Sequence, residues 1–130
     1  MIVDTSAIVA LLLDEPTAPA VDRALREADV VRMAAPTLVE LGAVVEHRGP
    51  ALRRGVDQLL ELYRVQVEPF DVDQARLARE AYRDYGRGSG HRAHLNLGDV
   101  FAYALAARLH EPLLFVGDDF THTDVVPALR

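Results

Sequence analysis

Short apolar runs alternate with longer helix-patterned segments along this chain, and that alternation restricts the fold more than any other feature. Ile2-Val3, Val30 to Ala34, Val65 to Glu68 and Leu113 to Val116 read as strands, with Val125-Val126 as a short edge strand beside Pro127. Between them lie helical patterns. Ala7 to Leu13 follows Thr5-Ser6 as candidate caps, and Thr17 caps a helix with Val21, Ala24, Leu25 and Ala28 on one face. Pro36 opens a third helix to about His47, and a fourth spans Ala51 to Tyr63. Asp71 and Gln74 have capping-box spacing ahead of a fifth, with Ala78, Ala81, Tyr82 and Tyr85 in helical register. A last helix, from about Asn96 to Leu109, is almost wholly apolar after Asp99, which predicts burial rather than amphipathicity. Such alternation predicts an α/β fold whose mainly parallel sheet is covered by helices on both faces.

The 130 residues are expected to form a single domain spanning 1–130, and a composition half hydrophobic supports one core. Cysteine is absent, which excludes disulfide frameworks, zinc ribbons and thiol nucleophiles. All fourteen basic residues are arginine. Without lysine there is no P-loop ATP site and no Schiff-base chemistry. The net charge of −6 argues against a protein that coats nucleic acid, though not against an enzyme touching RNA through a few arginines and a metal ion. No secretory signal or membrane-length apolar run is present, so a cytoplasmic location without membrane contact is expected.

In open parallel sheets the functional crevice lies beyond the carboxyl ends of the strands. Asp4 ends the first strand, and Asp118-Asp119 follow the fourth behind Gly117. Asp99 opens the buried helix, three residues after Asn96. Glu40 is stacked with Ala43 and Val44, so its carboxylate is expected to start from an apolar stripe. Singly, each acid has an ordinary explanation as a turn, cap or surface residue. Together they converge on one edge. Two carboxylates ~5 Å apart repel by roughly 3 kcal/mol at an effective dielectric near 20, so a cluster must hold protons or take a cation. Hard oxygen donors suit Mg²⁺ or Mn²⁺, and such an ion activates water and steadies a leaving oxygen at a phosphodiester.

Five segments carry a family resemblance: Val3-Asp4-Thr5-Ser6-Ala7; Leu38-Val39-Glu40-Leu41; Asn96 through Ala104; Pro112 through Phe120; and Thr123-Asp124. In order and spacing the chain resembles the PIN-domain nucleases, specifically the toxins of VapBC-type toxin–antitoxin pairs. The resemblance implies a three-layer α/β/α sandwich and Mg²⁺- or Mn²⁺-dependent endonucleolytic cleavage of RNA. It also implies a cognate VapB-type antitoxin and a homodimer. By position it makes Asp4, Glu40, Asp99 and Asp119 the catalytic acids, with Asp4, Asp99 and Asp119 as metal ligands. Asp118 is the neighbour of the fourth acid, because many PIN domains carry that acid where this chain has Gly117. Thr5 or Ser6 would hydrogen-bond Asp4 or the scissile phosphate.

Other features are weaker. Gly86-Arg87-Gly88-Ser89-Gly90 lacks the strand and lysine of a P-loop and reads as a hinge before the catalytic helix. His91-Arg92-Ala93-His94 is basic and suits contact with RNA phosphates or with the antitoxin, with Arg92 the candidate for the substrate path; Asn96 beside Asp99 is a secondary or substrate-contacting candidate. The two histidines have feasible zinc spacing but no third ligand. A receiver domain needs a lysine, and a dehalogenase-type phosphatase needs an aspartate where Ser6 stands. The remaining alternative is a non-catalytic PIN-like module that binds RNA or protein.

Overall fold

The computed structural model describes residues 1–129. Its elements run β1 (Ile2–Val3), α1 (Thr5–Leu12), α2 (Ala18–Glu27), β2 (Arg32–Ala34) and α3 (Ala35–Val45). They continue with α4 (Pro50–Leu62), β3 (Gln66–Glu68), α5 (Val72–Tyr85), α6 (Asp99–Leu109) and β4 (Leu113–Leu114). The sheet has the order β3-β2-β1-β4 and every pairing is parallel. This is the expected α/β sandwich.

The strands are only two or three residues long, yet their period-2 alternation builds two cores. Ile2, Ala34 and Leu113 face α5 and α6, whereas Val3, Met33 and Leu114 face the layer of α1 to α4. All six of these side chains are fully buried. α6 carries seven buried residues among its eleven, from Asp99 to Ala106, as its uniform apolarity requires. Packed between the sheet and α5, it holds its first turn at the carboxyl edge of the strands.

Local chemistry explains the helix starts, with one correction. α1 begins at Thr5, and its cap is Asp4 rather than Thr5 or Ser6: the Asp4 carboxylate accepts from the Ser6 N–H at 3.0 Å. Asp71 caps α5 by accepting from the Gln74 N–H at 2.8 Å, as the spacing predicts. Thr17 stands at the N-cap of α2 but makes no side-chain cap bond. The Val125-Val126 segment amounts to one parallel bridge. The Leu113 N–H donates to the Val126 carbonyl and the Ala128 N–H to the Leu113 carbonyl, both at 2.8 Å. The glycine-rich loop is closed at its base, where the Arg87 N–H donates to the Leu95 carbonyl at 3.0 Å and the Leu95 N–H to the Tyr85 carbonyl at 2.9 Å. No helix among the described residues is long and apolar enough to cross a membrane.

Candidate active site

Asp4 leaves β1 and turns directly into α1, so its side chain is held where the sheet ends. It is 4 % exposed. The Ser6 hydroxyl donates to Asp4 Oδ2 at 2.6 Å and accepts from the Val116 N–H at 3.0 Å, tying the carboxylate to the chain leaving β4. Ser6 is therefore engaged with Asp4. Asp4 Oδ1 is buried and has no hydrogen-bond partner. Burial pushes the Asp4 carboxyl upward, the Ser6 bonds oppose this, and Glu40 adds to the rise.

Asp99 arrives from the other side, on the first turn of α6. Its Oδ2 accepts from the Asn96 N–H at 2.8 Å, while the Asp99 N–H donates to Asn96 Oδ1 at 3.0 Å. This reciprocal pair has the bonding pattern of a capping box, set in the turn that leads into α6 from its N-cap Gly98, and the acid is buried, at 7 % exposure. Burial first, and then the charges of Asp119, Asp4 and Glu40, push its carboxyl up to about 7 against the opposing Asn96 bond.

Glu40 reaches the cluster by a route the sequence misjudged. The buried face of α3 is Thr37, Leu41 and Val45, whereas Ala43 and Val44 are exposed. Glu40 therefore lies on the solvent-side stripe, half-buried, and is not set in an apolar one. It is steered by the Thr5 hydroxyl, which donates to Glu40 Oε1 at 2.6 Å. Its other oxygen lies against the backbone of Gly98, where an added Cβ would stand 1.4 Å away. Gly98 escaped the sequence reading. Its only signal was a glycine one residue before a motif aspartate.

Asp118 and Asp119 are both exposed on the loop after β4, which is anchored by buried Phe120 against Phe115 with ring centroids 5.1 Å apart. Of the two, Asp119 is the one whose charge acts on Asp99. Arg92 is exposed and joins no ion pair among the described residues. His91 Nδ1 accepts from the Ala93 N–H at 3.1 Å, so this nitrogen is already engaged within its own loop.

Asp4 and Asp99 are buried acids pushed toward protonation, with the charge of Glu40 raising both and that of Asp119 raising Asp99. None of the ion pairs among the described residues involves these four. Among the described residues, no three His, Asp or Glu side chains stand close enough to form a ready-made ligand cage. The donor set fits Mg²⁺ or Mn²⁺ all the same. Mg²⁺ keeps several waters and takes one or two carboxylates directly, and the unpartnered buried Asp4 Oδ1 is a free hard oxygen.

Residues 1–126 match the PIN domain family. The chain is 58% identical over 129 residues to Ribonuclease VapC42 of Mycobacterium tuberculosis, covering 98% of each chain. The crystal structure of VapC20 from the same organism, described as a sarcin-ricin loop cleaving toxin, superposes with a TM-score of 0.77. That match has 19% identity over 99% of this chain and 98% of the other. VapBC-5, a member of the VapBC family of toxin–antitoxin systems from that organism, matches with a TM-score of 0.66 and 27% identity over 99% and 94% of the two chains.

Proposed function

The chain belongs to the PIN-domain family and, within it, to the VapC ribonucleases, the toxins of toxin–antitoxin systems; from that premise we propose that it cuts RNA internally, using Mg²⁺ or Mn²⁺ held at Asp4, Asp99 and Asp119. The observation that carries this reading is the pair of buried acids Asp4 and Asp99 at the sheet edge, neither in an ion pair among the described residues and with Asp4 Oδ1 left without a hydrogen-bond partner. Burial and three neighbouring acids push Asp99 up to about 7. A divalent ion is the partner that lets such a group ionise at neutral pH. When bound, the ion supplies an acidified water and charge compensation at the scissile phosphate.

The chain's own groups do the positioning. Ser6 holds Asp4 Oδ2, leaving Oδ1 free for the ion. Asn96 fixes the rotamer of Asp99 through the reciprocal cap. Thr5 aims Glu40, whose carboxylate accepts a proton from the attacking water or orients it. Asp119, exposed at the rim, completes the acidic set from the solvent side. Arg92 contacts substrate phosphate, which gives an acidic protein a local foothold on RNA. The acting unit is the single nuclease domain 1–130, working in the cytoplasm as a homodimer restrained by a VapB-type antitoxin.

The test is cleavage of an end-labelled RNA by the purified protein with Mn²⁺. Cleavage should require the metal, stop in EDTA, and disappear in Asp4→Asn and Asp99→Asn while circular dichroism stays unchanged. Arg92→Ala should raise KM. RNA binding without cleavage under all these conditions would instead mean a non-catalytic module.

A further inference from the structure

Gly98 has no backbone reason to be glycine. Its φ of −63° and ψ of −38° are ordinary right-handed helical values. It sits just ahead of α6, in a backbone conformation that a residue with a Cβ adopts without strain. A Cβ there meets something very specific. It would stand 1.4 Å from Glu40 Oε2 and 2.5 Å from Glu40 Cδ, with Asn96 Oδ1 next at 3.2 Å. The space a side chain would take is already filled by the Glu40 carboxylate.

We infer that Gly98 is a positioning residue for the ribonuclease reaction: its missing side chain forms the seat of the Glu40 carboxylate, with the Thr5 hydroxyl as the opposite jaw. This rests on the proposed reading of Glu40 as a member of the acidic set. Thr5 grips Oε1 at 2.6 Å from the start of α1, and Gly98 admits Oε2 at the start of α6. Glu40 thus bridges the entries of two helices that also carry Asp4 and Asp99. Neither jaw alone sets the carboxylate. With Thr5 alone, Oε1 is held but the group can pivot; with the seat alone, nothing draws it inward.

The clash has an asymmetric consequence. The atom that a Cβ at position 98 meets is the far end of a flexible side chain, so the fold yields there cheaply and the active site does not. The Glu40 carboxylate swings out while α6 stays in place.

The experiment is Gly98→Ala in the wild-type and Glu40→Ala backgrounds, read by steady-state cleavage with Mn²⁺ and by thermal melting in EDTA. In the wild-type background kcat should fall about 100-fold with KM within about twofold, the signature of a misplaced group at the reacting centre. In the Glu40→Ala background the same substitution should change the residual rate less than about twofold and lower the melting temperature less than it does in the wild type, because the Glu40 carboxylate is gone and only the Asn96 Oδ1 contact at 3.2 Å remains. Full activity of Gly98→Ala would overturn the inference, as would an equal loss of rate or of melting temperature in both backgrounds. Absence of cleavage by the wild-type protein would instead refute the proposed reaction, whereas the melting comparison would still report whether Gly98 and Glu40 are coupled.

Discussion

Asn96 and Asp99 hold each other: each donates its backbone N–H to the other's side chain, at 2.8 Å and 3.0 Å. A helix cap and a buried active-site acid are the same object here, so the capping interpretation and the catalytic one do not compete. Asn96→Ala removes one half of the box and should lower stability by about 1 kcal/mol, the usual worth of such a cap. Urea unfolding measures it. The freed Asp99 rotamer should also weaken Mn²⁺ binding, read by calorimetry.

Asp99 makes the metal-free protein sensitive to pH. Its carboxyl titrates near the ordinary 3.8 in the unfolded chain and at about 7 in the fold. Between those values the folded form still holds a proton that the unfolded form has released. Stability therefore falls as pH rises through this window, and the loss is complete above about pH 7. Asp99→Asn does not titrate, so in EDTA it should match the wild type near pH 4 and be more stable at pH 8. The gain is bounded by about 4 kcal/mol from the size of the shift. Melting temperatures of both proteins at the two pH values check the sign.

Of the two adjacent acids after β4, it is Asp119 whose charge pushes Asp99 upward. Asp119→Asn should weaken Mn²⁺ binding by about 10-fold or more, the scale seen for groups that support a metal site. Asp118→Asn should change it less than that. Titrations of cleavage rate against Mn²⁺ for the two variants separate them, and equal effects would return the fourth position to the pair.

Ser6 links two strand ends, donating to Asp4 and accepting from the Val116 N–H. Ser6→Ala leaves the half-buried Val116 N–H without a partner and Asp4 Oδ2 with the Ser6 backbone N–H alone, so a loss of about 1–2 kcal/mol is expected. Activity should fall as well, since Asp4 loses the shorter of its two orienting bonds. A variant with normal melting and impaired cleavage would show Ser6 acting on substrate and not on Asp4.

The strands, the order of elements and the burial of α6 were legible because they follow from near-neighbour rules. The short apolar run Ile2-Val3 ended by Asp4, the unbroken apolarity after Asp99 and the spacing of Asp71 to Gln74 are each decided within a few residues. Where local signals were ambiguous the reading slipped. Thr5 and Ser6 are good capping residues, but Asp4 took the cap because its backbone is extended at the strand end. The stripe of Ala43 and Val44 beside Glu40 is apolar yet exposed, since Thr37, Leu41 and Val45 offer an equally regular stripe and only the packing layer selects between them.

The chain's own order of residues was enough to declare an α/β sandwich with acids gathered at one sheet edge, because strand pleat, helix period and chain direction are local and repetitive. Which oxygen meets which atom was left to the folded molecule. Ser6 finds Val116 across 110 residues, and Glu40 settles on Gly98. Contacts of that range depend on how the layers stack to fractions of an ångström, and no periodicity in a linear string encodes that distance.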